Sequence, residues 1–144
     1  MPIKGRTPDI LVDTSVAVPM VVADHKHHRA TLTAIGNRRT GLAGHAAFET
    51  FSVLTRLPPP ARRTPEAVAR LMAKNFPRNC HLSAEGAASL FDRLVATGIA
   101  GGSVYDALVG AVAAEHGIVL ATRDRRALDT YRALDVSVEF LPDR

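Results

Sequence analysis

The segment Asp9-Ile10-Leu11-Val12-Asp13-Thr14-Ser15 decides what the rest of the chain can build. Ile10, Leu11 and Val12 are apolar with no polar alternation, the pattern of a strand buried on both faces. Asp13, Thr14 and Ser15 are residue types that start helices. A short buried strand that runs straight into a helix is the opening unit of a parallel sheet covered by helices.

Outward from this segment the alternation continues. A helical pattern at residues 25–35 closes at Gly36 and Asn37, residues 42–43 suit a second short strand, and a helix follows at 46–57 until Pro58, Pro59 and Pro60 end it. Thr64, Pro65 and Glu66 open a helix that Pro77 stops after Phe76. A strand at 80–82, a helix at 84–97 capped by Ser83, a loop with Gly98, Gly101 and Gly102, and an apolar helix at 103–116 ended by Gly117 come next. Residues 118–121 suit a strand, 125–134 a helix and 136–141 a last strand. With no repeat or linker, the order predicts one domain over residues 1–144: an α/β fold, a three-layer α/β/α sandwich around a central parallel sheet.

Composition agrees and narrows the function. A chain of 144 residues, 47% hydrophobic, can bury a core without staples, and a lone cysteine, Cys80, excludes a disulfide scaffold. The longest apolar runs, 16–23 and 107–114, fall well short of the roughly 20 residues a membrane span needs. Residues 1–13 show no secretory apolar core, so the cytoplasm is the expected compartment and no membrane partner is expected. The 18 basic residues exceed the 14 acidic ones, for a net charge of +4, and all the cations but Lys4, Lys26 and Lys74 are Arg. That balance suits either a polyanion partner or a plain basic surface, and Arg's planar fork suits phosphate. The acids say more.

In parallel sheets, ligand sites lie beyond the carboxyl ends of the strands. Asp13 follows the first strand and Asp124 follows the strand at 118–121, in Thr122-Arg123-Asp124. Asp106 falls in the first turn of the helix opened by Ser103, and Glu49 in the first turn of the helix after 42–43. Each has a structural alternative: helix caps for Asp13 and Asp124, a capping box of Ser103 with Asp106, and a wet helix face for Glu49. If the sheet folds as expected, the four converge at one edge, where mutual repulsion raises their pKa values until a cation neutralises them. Hard divalent ions with oxygen ligands, Mg²⁺ or Mn²⁺, fit such a set, and they can activate water against a phosphodiester. Arg123, Arg125 and Arg126 flank Asp124, where cations oppose the helix dipole, which favours phosphate binding over a solvated first turn.

Taken together, Ile10-Leu11-Val12-Asp13-Thr14-Ser15, Glu49, Tyr105-Asp106-Ala107-Leu108 after the Gly-rich loop, and Ala121-Thr122-Arg123-Asp124-Arg125-Arg126 followed by Tyr131 resemble the PIN-domain ribonucleases, in particular the VapC toxins of bacterial toxin-antitoxin pairs. The resemblance covers nearly the whole chain. It implies a PIN-like fold and a Mg²⁺- or Mn²⁺-dependent endoribonuclease that arrests growth by cutting RNA and is neutralised by a VapB-like antitoxin. Carried onto this sequence, Asp13, Asp106 and Asp124 would hold metal directly or through water, and Glu49 would hold it or orient the attacking water. Thr14, Ser15 and Thr122 would support these acids through hydroxyl hydrogen bonds. A PIN nuclease of RNA processing and a non-catalytic RNA-binding module are the alternatives. RNA, the antitoxin and a second copy in a homodimer are the expected partners, residues 46–57 offering an apolar face to that copy.

Other Asp-centred chemistries of this fold class fit less well. A phosphotransfer receiver would want a Lys after a late strand, but the last Lys is Lys74. A haloacid-dehalogenase-type phosphatase would want D-x-D after the first strand, where Ser15 stands in the second position. No phosphate-cradling glycine motif occurs. His25, His27 and His28 suit exposed histidines, Cys80 a small core residue, and the three prolines a helix stop or a rim.

Overall fold

In the computed structural model, which describes residues 7–142, Ile10–Val12 (β1) is wholly buried near the centre of a four-stranded sheet. The strands are ordered β2-β1-β3-β4 and every pairing is parallel, β2 being Thr40–Leu42, β3 Leu120–Thr122 and β4 Val138–Phe140. Among the described residues seven α-helices cover it: Thr14–Val21 (α1), His28–Ile35 (α2), His45–Thr55 (α3), Pro65–Asn75 (α4), Ala84–Thr97 (α5), Ser103–His116 (α6) and Leu128–Ala133 (α7). This is the expected sandwich. Burial on both faces is why β1 reads as an unbroken apolar run, whereas β4, at the edge, is only half-buried.

The chain leaves β1 toward β2 on one side and returns through β3 to β4 on the other. The gap between the carboxyl ends of β1 and β3 is therefore the switch point of the sheet, where a ligand crevice forms. Among the described residues no helix is long and apolar enough to cross a membrane.

Several boundaries moved for identifiable reasons. The expected strand at 80–82 is a single bridge, Cys80 with Ala43, because Ser83 caps α5 by accepting from the Gly86 N–H and turns the chain away. The Asn79 side chain takes over the next position, accepting from the Leu42 N–H at 2.8 Å, so the outer edge of β2 is covered. Gly41 permits this close approach, since a Cβ there would collide with the Arg78 carbonyl. The helix expected at 125–134 divides into a 3₁₀ turn, Arg125–Ala127, and α7, because Asp124 caps the turn through the Arg126 N–H. The helix expected from residue 25 starts at His28, the imidazole of His25 accepting instead from the His27 N–H. Residues 1–6 and 143–144 of the expected domain lie outside the described residues.

Candidate active site

Asp13 stands where β1 ends, its N–H donating to the Ala121 carbonyl of β3, and is only 6% exposed. It occupies the N-cap position of α1 but makes no side-chain cap bond. Its Oδ1 accepts from the Ser15 hydroxyl at 2.5 Å and its Oδ2 from the Tyr131 hydroxyl at 2.8 Å. Burial pushes its carboxyl above the ordinary range, and the hydrogen bonds of Ser15, Thr122 and Tyr131 oppose that rise.

Hydroxyls tie the ends of β1 and β3 together. Ser15 Oγ also accepts from the Arg123 N–H at 2.8 Å and lies 3.4 Å from Thr122 Oγ1, which accepts from the Asp124 N–H at 3.0 Å. Asp124 in turn accepts from the Arg126 N–H at 3.0 Å. The cap reading is thus correct for Asp124, in addition to its place at the site, and incorrect for Asp13. The capping box weighed as the structural alternative for Asp106 is also absent: Ser103 lies inside α6, whose N-cap is Gly102 and has no side-chain bond.

Asp106 is left facing other acids. Burial and then the charges of Asp124, Asp13 and Glu49 push its carboxyl up to about 6, with Arg126 opposing. Glu49 lies past the first turn of α3, which starts at His45, and not within it as the sequence suggested. Burial raises its carboxyl too, while His45, 3.5 Å away, pulls it down. The His45 ring stacks on Tyr105, with centroids 5.2 Å apart, and joins α3 to α6 beside the acids.

Asp13, Glu49, Asp106 and Asp124 line one notch of about 60 Å³ with Thr14, Ser15, Val109 and Tyr131. That volume suits an ion with some of its water and is far too small for an organic cofactor. Among the described residues no three acids, imidazoles or thiols stand together as a group that could hold a metal ion by themselves. Asp13 and Asp124 are instead each anchored to their own surroundings.

The family model of the PIN domain matches residues 10–133. The chain belongs to the PIN-domain family. This PIN domain is 47% identical over 131 residues to ribonuclease VapC27 of Mycobacterium tuberculosis, covering 91% of this chain and 96% of that protein. Among solved structures it resembles VapC20 of M. tuberculosis, described as a sarcin-ricin loop cleaving toxin, with a TM-score of 0.64, 24% identity and 83% and 93% of the two chains covered. It also resembles the DNA-bound VapBC of Salmonella typhimurium, with a TM-score of 0.66, 16% identity and 94% and 98% covered.

The three arginines that flank Asp124 in this PIN domain part company. Arg126 stays at the rim, its side chain 94% exposed and 3.6 Å from Asp124 Oδ1. Arg125 lies over the Phe140 ring at 4.8 Å. Arg123 turns its guanidinium toward Thr31 Oγ1, bonded twice at 2.8 and 3.0 Å, and the Pro142 carbonyl at 2.6 Å, while its backbone N–H donates to Ser15 beside the notch. Arg123→Ala is therefore expected to lower the unfolding free energy by about 2 kcal/mol in urea denaturation, the usual loss for hydrogen bonds to a charged group. RNA affinity of the metal-free protein should stay within about twofold; unchanged stability with lost RNA binding would restore the phosphate role.

Thr14 lines the notch, but its hydroxyl donates to the Ala46 carbonyl at 3.5 Å rather than to one of the acids. Val109 and Tyr131 line it without having been singled out for a role from sequence. A signal for the second existed in Gly110, a glycine inside an otherwise apolar helix, which marks a close approach.

Proposed function

We propose that this PIN domain is a divalent-metal-dependent endoribonuclease and the toxin of a toxin-antitoxin pair, with Asp13, Glu49, Asp106 and Asp124 as its catalytic and metal-holding residues. One observation carries the site: four carboxylates from distant parts of the chain share a notch at the sheet's switch point, and one of them is pushed up to about 6 by the others and by burial. The similarity to a ribonuclease at 47% identity over nearly the whole of both chains supports the activity.

The donor set fits a hard divalent ion. It offers only oxygen ligands, and Mg²⁺ needs one or two carboxylates plus water and substrate phosphate, so a closed protein cage is not required. Mg²⁺ or Mn²⁺ is the proposed cofactor, consistent with a family of generally metal-dependent ribonucleases. When bound, such an ion makes water a better nucleophile near neutral pH and offsets charge growing on the phosphodiester.

The chain's own residues do the rest. Asp13, held at both oxygens, and Asp106 and Asp124 on neighbouring walls supply the negative charge that holds the ion. Glu49, its side chain 42% exposed, orients the attacking water toward phosphorus. Attack forms one P–O bond and breaks the other in line, and RNA is cut. Ser15 and Thr122 keep the acids in place, and Arg126 at the rim meets the RNA backbone.

A VapB-like antitoxin and a second copy of the chain in a homodimer complete the proposed assembly, acting in the cytoplasm as a single domain over residues 1–144. Expression of the chain alone is expected to arrest growth, and co-expression with the adjacent small open reading frame to relieve the arrest. Purified protein should cleave RNA with Mg²⁺ or Mn²⁺ and stop in EDTA. Metal-dependent cleavage without growth arrest would make it an RNA-processing nuclease, and no cleavage under any metal would remove the enzyme reading.

A further inference from the structure

Beneath the notch lies a phenol that metal holding alone does not call for. Tyr131, on α7, is 1% exposed, and its hydroxyl donates to Asp13 Oδ2 at 2.8 Å across 118 residues of sequence. A core position on a short helix is filled as well by Phe, which carries no hydroxyl to desolvate. With the Ser15 hydroxyl on Oδ1, the carboxylate of Asp13 is gripped at both ends and cannot swing about its Cβ–Cγ bond. The carboxylate still keeps a lone pair to offer.

The ring needs a seat, and α6 provides one. A Cβ on Gly110 would stand 2.9 Å from Cδ1 of Tyr131 and 3.2 Å from Cγ2 of Val136. Gly110 has no positive φ, so its backbone would accept alanine, and a helix-interior glycine costs about 1 kcal/mol relative to alanine. Space for Tyr131 is what the glycine supplies. Two departures from local rules, a glycine inside a helix and a phenol in the core, thus meet at one point under one carboxylate.

We propose that Tyr131, seated on Gly110, is the positioning residue of Asp13, fixing its carboxylate so that a divalent ion binds without first having to order it. This rests on the proposed role of Asp13 as a metal ligand, and the experiment separates the two. Mn²⁺ binding to the full chain is measured by electron paramagnetic resonance for the wild type, Tyr131→Phe, Gly110→Ala and Asp13→Asn, with urea denaturation in EDTA to verify folding. Tyr131→Phe is expected to weaken Mn²⁺ binding about tenfold, the lower end for groups that orient metal ligands, and to raise the Mn²⁺ concentration for half-maximal RNA cleavage by the same factor. Saturating Mn²⁺ should restore cleavage to within about threefold, and Gly110→Ala, which displaces the ring, should reproduce the affinity loss. A merely structural tyrosine would change the urea midpoint and leave Mn²⁺ affinity alone. Mn²⁺ affinity within about twofold of wild type in Tyr131→Phe, with binding lost in Asp13→Asn, overturns the positioning role while the metal site stands. Wild-type affinity in Asp13→Asn overturns the metal site itself.

Discussion

Asp106→Asn is expected to slow RNA cleavage in saturating Mg²⁺ by roughly 10²–10³-fold, because metal-assisted charge stabilisation is worth several kcal/mol and about 1.4 kcal/mol is a factor of ten. The amide keeps the shape and one oxygen of the side chain but removes the charge that three neighbouring acids and burial already strain. Asp13→Asn is expected to cost at least as much, and to cost stability as well. Both of its oxygens accept hydrogen bonds, so an amide nitrogen would set donor against donor at either Ser15 or Tyr131. Single-turnover cleavage of a labelled RNA measures the rate, and circular dichroism checks the fold. Rates within about threefold of wild type in both variants would sink the proposed site.

The same strain makes the second expectation. A carboxyl at about 6, against 3.8 ordinarily, binds its proton more tightly in the folded state than in the unfolded one. Between about pH 4 and pH 6 the folded protein therefore carries the extra proton, and stability falls as pH rises through that window. Above it the full penalty applies, and below it the penalty is gone. For a half-exposed carboxyl the effect is discounted to roughly 1–2 kcal/mol. Asp9, Glu115 and Glu139, whose partners hold them below the ordinary range, titrate with the opposite sign, so the comparison is between wild type and Asp106→Asn. In EDTA the variant should be the more stable at pH 7.5 and lose that advantage near pH 4. Mg²⁺ at about 100 times its dissociation constant should stabilise the wild type by about 3 kcal/mol at pH 7.5. Equal stabilities across the pH range would remove the charge strain from the site.

Much of the fold was legible because its signals were local. An unbroken apolar triplet announces a strand buried on both faces, and Gly36, Pro77 and Gly117 mark their helix ends without help from the rest of the chain. The four acids were legible because the rule of parallel sheets places ligands beyond strand ends, and Asp13 and Asp124 follow two adjacent strands. What escaped depended on partners distant in sequence. The fate of Arg123 is set by Thr31 and Pro142, that of Tyr131 by Asp13, and that of the segment after Cys80 by a cap on the next helix. None of these pairings leaves a mark within a short window, except Gly110, whose missing side chain is the imprint of a neighbour.

The strand order has a consequence for synthesis. β1 pairs with β3, whose residues leave the ribosome more than a hundred positions later, and Asp124 and Tyr131 come later still. Until then β1 has only β2 beside it, Asp13 lacks its phenol, and the three earlier acids have no floor to gather on. A chain cut short before β3 carries three of the four acids without the strand and the phenol that meet Asp13 in the folded protein.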